Sequence, residues 1–132
     1  DVSLSMVKAC KMKGLRAFKK DMENLDFKNE SFDGVFAYTS LVHIPKQRIY
    51  NVIARIRELL KPNGILFVGI VEGKGEIMYK GSTGPSQQRF FARYGDTEFQ
   101  EILRDYFTIV ASKRFKLFEK QIYLNYICVK VK

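Results

Sequence analysis

Residues 49–71 read IYNVIARIRELLKPNGILFVGIV, and this stretch decides the fold. Ile49, Val52, Ile53, Ile56, Leu59 and Leu60 recur at the three, four, seven spacing that places side chains on one buried helical face. Pro45 suits the entry to that helix, and Pro62-Asn63-Gly64 ends it with turn residues. Residues 65–71 follow at once as a fully buried strand. Upstream, residues 32–38 (FDGVFAY) are β-rich and nearly continuous in apolar character, as befits a strand covered on both faces. Strand, helix, turn, strand is a βαβ unit, whose parallel strands are joined by a right-handed crossover. A parallel sheet is therefore the expected centre of the molecule.

Reading outward, residues 3–13 carry Leu4, Met6, Val7, Ala9, Cys10 and Met12 behind Ser3 or Ser5 as N-cap, and Gly14 closes this helix. Residues 15–18 read as a short strand and residues 21–31 as a polar loop. Residues 72–95 change character, with five glycines (73, 75, 81, 84 and 95) and the aromatics Tyr79, Phe90, Phe91 and Tyr94. Such an insertion after a central strand is expected to be a lid or binding loop rather than a packed element. Asp96 or Thr97 then caps a short helix, with Thr97 and Gln100 at capping-box spacing and Phe99, Ile102, Leu103 and Tyr106 on its inner face. Residues 107–115 and 122–131 alternate as a closing pair of strands. Their connection is too short for a crossover helix, so the pair is antiparallel.

A chain of 132 residues suits one domain, spanning 1–132 with the insertion inside it. An apolar share of 46% excludes a low-complexity or disordered chain. No apolar run approaches the ~20 residues of a membrane span, so no membrane partner is expected, and the first residues show no signal-peptide pattern. Two cysteines, Cys10 and Cys128, and a single histidine cannot assemble a Cys/His metal site. A reduced, cytoplasmic protein with two structural thiols is the simplest expectation. The net charge of +9 invites a nucleic acid or an acidic substrate as partner. The basic residues are dispersed and not interleaved with aromatics, so a solvated basic surface is the favoured reading.

Several pieces together resemble the class I S-adenosylmethionine-dependent methyltransferases, in particular the small-molecule branch typified by quinone-biosynthesis enzymes. Asp1-Val-Ser-Leu-Ser-Met6 resembles that family's segment after strand 2, and Asp21-Met22-Glu23-Asn24-Leu25 its segment after strand 3. Ser31-Phe32-Asp33-Gly34-Val35-Phe36-Ala37-Tyr38 resembles strand 4, Leu41-Val42-His43-Ile44-Pro45 the turn after it, and Leu60-Lys61-Pro62-Asn63-Gly64-Ile65-Leu66 the approach to strand 5. The resemblance spans essentially the whole chain. It implies a Rossmann-like, doubly wound, mainly parallel α/β sheet with a C-terminal antiparallel hairpin, N-terminally truncated. It implies methyl transfer from S-adenosylmethionine to a small-molecule acceptor. The alternatives are a non-catalytic remnant serving as a binding module and an RNA-directed methyltransferase.

The resemblance also implies residue roles. Asp1 would hold the cofactor ribose through both carboxylate oxygens, as acids do in dinucleotide sites. Met6 would lie against the adenine, and Asp21 would accept from the adenine amino group, with Met22 contributing backbone contact. Tyr38 and Thr39 would line the methionine half of the cofactor. His43, at the crevice mouth, is the candidate general base. A sulfonium methyl is already a strong electrophile, however, so positioning alone can carry much of the rate. Tyr79, Arg89 and Tyr94 are the substrate-pocket candidates, Arg89 suiting an acidic group.

One family element has no counterpart here. The glycine-rich loop after strand 1 is absent, and Gly73-Lys74-Gly75 lies after strand 5 instead. In the family's strand order, 3-2-1-4-5-7-6, strands 1 and 2 would sit between the strands at residues 15–18 and 32–38. A helix, a strand and the loop are thus expected before Asp1, and without them one edge of the 32–38 strand is left open. These 132 residues alone are expected to bind S-adenosylmethionine poorly or not at all. Titration calorimetry checks this directly, and tight binding would contradict it.

Overall fold

The computed structural model describes residues 1–80, 88–117 and 120–131. Helix α1 (Leu4–Met12) starts where the Ser3 hydroxyl accepts from the Met6 N–H at 3.4 Å, and it gives way at Gly14, whose φ of +78° is left-handed. Strand β1 (Phe32–Tyr38) leads through a 3-10 turn (Leu41–His43) into α2 (Ile49–Leu59) and then β2 (Leu60–Val71). After β2 come β3 (Glu76–Lys80), β4 (Gln88–Ala92), α3 (Asp96–Arg104), β5 (Thr108–Leu117) and β6 (Gln121–Val129).

The main sheet has the order β1-β2-β6-β5. β1 and β2 run parallel, as the βαβ unit requires, while β6 runs antiparallel to both β2 and β5. The two closing strands therefore form the expected antiparallel hairpin, and the order matches the 4-5-7-6 portion of the arrangement that the resemblance implies. Each α2 residue anticipated on the buried stripe is buried, Ile49 and Ile53 completely. Full burial of side chains of this size contributes roughly 1.5–3 kcal/mol each. Ile49, Val52, Ile53 and Ile56 share one core with Leu66, Val68 and Ile70 of β2, with Leu124, Tyr126 and Cys128 of β6, and with Phe99, Ile102 and Leu103 of α3. Burial pushes the Cys128 thiol up to about 12, which makes it a packing group and not a nucleophile.

Four details differ from the sequence expectation. Residues 15–18 form no strand. Asp1 N–H donates to the Phe18 carbonyl and Lys20 N–H to the Asp1 carbonyl, each at 3.0 Å, in the pattern of a parallel pair centred on Lys19. The neighbouring segment then turns into α1 at Leu4, so no longer ladder develops. The 62–64 turn is absorbed into β2: Phe32 pairs with Leu60 and Gly34 with Ile65, with Asn63 at φ +63° taking up the excess. Helix α3 is capped one residue early by Gly95, whose N–H donates to Glu98 at 3.1 Å, while Gln100 reaches back to Asp96. Asp96 also accepts from the Tyr126 hydroxyl at 2.7 Å, and these two hydrogen bonds hold its carboxyl below the usual range. Lastly, the 72–95 insertion contains a two-stranded antiparallel ribbon, β3–β4. Its Gly81 and Gly84 lie outside the described residues.

Nor are β1 and β2 covered on both faces. Phe36 is 74% exposed and Ile65 48%. On this open face the rings of Phe36 and Phe67 stack at 4.9 Å, and Tyr38, Tyr123 and Phe115 extend the row at 6.1 and 5.8 Å. Gly69 makes the row possible. A β-carbon there would lie 2.5 Å from the Tyr38 ring and 2.7 Å from the Asn125 Oδ1. Gly69→Ala should therefore cost about 1–3 kcal/mol in urea denaturation, the usual range for overpacking. Adding Tyr38→Leu should recover part of that loss, because the two sites are coupled by contact. Additive losses would contradict the packing account.

Candidate functional site

The candidate cofactor residues gather where β1 ends and where the segment after α1 passes the start of the chain. Thr39 follows β1 with φ +50°, and its N–H donates to the Gly69 carbonyl at 2.9 Å. A β-branched residue in the left-handed region costs on the order of 1–3 kcal/mol, a strain found preferentially at functional sites. Buried Leu41 and Val42 anchor the turn that follows. Tyr38 and Thr39 thus sit on a backbone held from both sides.

The bond from Lys20 N–H to the Asp1 carbonyl sets the backbone of Asp1 beside the residue that precedes Asp21. The Asp1 Oδ1 accepts from the Ser3 N–H at 2.7 Å, and the Asp21 Oδ1 from the Glu23 N–H at 2.9 Å. Each carboxylate keeps its other oxygen without a hydrogen bond among the described residues, so each can still accept from a ligand. Met22 is half-buried against the core, whereas Met6 is 54% exposed. Two arginines on α2 and its cap hold this region, and neither was singled out in the sequence. Arg48 forks onto Glu23 with contacts of 2.5 and 3.3 Å, fixing the turn that carries Asp21 and Met22. Arg55 donates to the carbonyls of Leu25 and Phe27 and to the Asn29 side chain, tying down the loop that leads into β1. Sequence offers little signal for either, since a helix arginine reads as ordinary surface charge.

The second group gathers around His43. Its Nδ1 lies 3.0 Å from the Phe90 carbonyl oxygen, and its ring meets Phe91 edge-on at 4.8 Å. Phe91 in turn meets Tyr79 at 6.2 Å, and Tyr79 pairs directly across the ribbon with Arg89. His43, Tyr79 and Arg89 are therefore brought together through Phe91. Tyr94 is not part of this group. It is wholly buried, packed on Phe99 at 4.9 Å with the Lys46 ammonium 4.5 Å above its ring. Burial raises its phenol well above the ordinary tyrosine range, so it belongs to the core. Among the described residues, no cluster of three or more histidine, cysteine, aspartate or glutamate side chains could hold a metal ion.

The arrangement provides two free carboxylate acceptors and a strained strand end on one side, and an imidazole beside an aromatic ribbon on the other. Residues 1–64 match the family model described as a methyltransferase domain. No curated protein matches the chain. Among solved structures, it is similar to the 1,6-didemethyltoxoflavin-N1-methyltransferase of Burkholderia thailandensis, crystallised with 1,6-didemethyltoxoflavin and S-adenosylhomocysteine, with a TM-score of 0.78 and 24% identity. That match covers 100% of this chain and 60% of the Burkholderia enzyme, so the chain spans well under two thirds of its length. A SAM-dependent methyltransferase from Methanosarcina mazei matches with a TM-score of 0.84 at 14% identity, over 99% of this chain and 80% of that one. The [4+2]-cyclase SpnF matches at 0.73 and 18%, over 98% of this chain and 64% of that one. Together with the sheet order, these likenesses show that the chain has the fold of the class I S-adenosylmethionine-dependent methyltransferases.

Proposed function

We propose that this chain is the later part of an S-adenosylmethionine-dependent methyltransferase acting on a small-molecule acceptor in the cytoplasm. The observation that carries the reading is the backbone bond that sets Asp1 beside Lys20, next to Asp21 in the chain, with one oxygen of each carboxylate making no hydrogen bond among the described residues. In a fold that places a nucleoside at the strand ends, Asp1 is suited to the ribose hydroxyls and Asp21 to the adenine amino group. Met22 supplies backbone contact and Met6 an apolar side chain for the base. Tyr38 and Thr39 line the methionine half. The cofactor supplies an electrophilic methyl group. This chain's residues position the acceptor, exclude water, and through His43 Nε2 can take the proton that the acceptor loses. Tyr79 and Arg89 contact the acceptor, and the 72–95 insertion closes over it.

The open aromatic face along β1 and the partial coverage of the Burkholderia enzyme support a further element of the proposal. Residues preceding Asp1 in a longer polypeptide cover that face and complete the cofactor site with a glycine-rich loop.

The test is S-adenosylhomocysteine binding by that longer polypeptide, measured by titration calorimetry. Asp21→Ala should weaken binding about tenfold or more, the effect of losing one charge-assisted hydrogen bond of ~1.5–3 kcal/mol. Lys28→Ala, outside the proposed site, should leave binding unchanged. No binding by the parent polypeptide, or equal binding by Asp21→Ala, would overturn the proposal.

A further inference from the structure

We propose that the β3–β4 ribbon is the positioning element for His43, holding the imidazole in its Nδ1-protonated tautomer so that Nε2 is the nitrogen left to act. The inference deepens the proposed function and rests on it for the purpose of that nitrogen. The geometry of the ring rests on the structure alone.

A carbonyl oxygen can only accept, so a hydrogen bond between Nδ1 and the Phe90 carbonyl at 3.0 Å requires the proton on Nδ1. Nε2 of the neutral ring then carries the lone pair, and it has no hydrogen bond among the described residues. The edge contact with Phe91, at 4.8 Å and 65° between planes, fixes the ring's rotation. These two contacts come from consecutive residues of β4, so one strand sets both the tautomer and the plane of the imidazole. A free histidine side chain in water favours the other tautomer, with the proton on Nε2. The ribbon therefore imposes a state that the side chain would not choose alone.

The ribbon is itself fastened to the segment that carries His43. Three residues on, the Lys46 N–H donates to the Glu76 carboxylate of β3 at 2.8 Å, and the Lys46 ammonium reaches Glu98 of α3 at 2.7 Å. His43 and Lys46 thus bind opposite strands of the ribbon, β4 and β3. The backbone between them includes buried Ile44, which resists rotation of the turn. The Tyr79 ring also meets the Phe91 ring, at 6.2 Å between centroids. A molecule that displaces Tyr79 would therefore be felt at His43 through one shared ring.

The chain contains one histidine, so a nitrogen-15 histidine label reports on His43 alone. Long-range proton–nitrogen NMR spectra of the 132-residue chain, recorded at a pH where imidazoles are neutral, should show a protonated Nδ1 and an unprotonated Nε2. Phe91→Ala should shift the signals towards the mixed pattern of a free histidine. Phe91→Leu, which keeps apolar bulk, serves if the alanine variant fails to fold by circular dichroism, and should move them in the same direction. A dominant Nε2-protonated tautomer in the parent chain would overturn the proposal, as would spectra unchanged in a folded Phe91 variant. The readout needs neither cofactor nor acceptor. Its failure is thus separable from that of the methyltransferase reading, which the S-adenosylhomocysteine titration decides.

Discussion

The burial of the α2 stripe against β2 is the contact on which the remaining geometry depends. Ile49, Val52, Ile53 and Ile56 share a core with Leu66, Val68 and Ile70, and that packing requires the chain to cross over between two parallel strands. Once β1 lies parallel to β2, their C-terminal ends point the same way. Thr39 is then held to Gly69, and the turn bearing His43 must leave from that end of the sheet. Ligand sites of open α/β sheets form in this position because the loops there diverge from a rigid edge. The antiparallel β5–β6 hairpin closes the other side of β2 and buries Tyr126, whose hydroxyl docks α3 through Asp96.

Polar contacts then place the loops that packing leaves free. Arg48 and Arg55 act from the outer side of α2 on the 21–29 segment, and Lys46 ties the ribbon to the start of that helix and to α3. Most of these groups are partly exposed, so each contributes little to global stability. Their effect is directional: they determine where Asp21 and Phe90 stand relative to the sheet. The same division appears on the open face, where Gly69 carries no side chain and so admits the Tyr38 ring. The resemblance to a cyclase as well as to methyltransferases fits this division, since one scaffold carries different chemistry through its loops.

How much of this was legible in the sequence follows from range. The α2 stripe, the two parallel strands and the closing hairpin were readable because period and turn chemistry are local. The strand expected at 15–18 was not formed, because a strand is a property of its neighbour and the adjacent segment turns into α1. The α3 cap lies at Gly95, where Glu98 accepts from the backbone N–H, and residue types alone do not choose between that cap and one at Asp96 or Thr97. In the candidate site, Asp1, Asp21, Tyr38, Thr39 and His43 are residues that the sequence singles out, but it does not reveal what holds them. The group that orients His43 is a backbone carbonyl forty-seven residues away, and no side chain marks it. Tyr94 shows the reverse limit. An aromatic residue in a glycine-rich insertion looked available to substrate, yet it folds into the core against Phe99.

The most direct test is a crystal structure, with S-adenosylhomocysteine, of a polypeptide that carries these residues behind the proposed glycine-rich segment. The ribose should lie at Asp1, the adenine amino group at Asp21 beside Met22, and the amino-acid half along Tyr38 and Thr39. A ligand bound elsewhere, or bound with Asp1 and Asp21 both facing solvent, would contradict that placement.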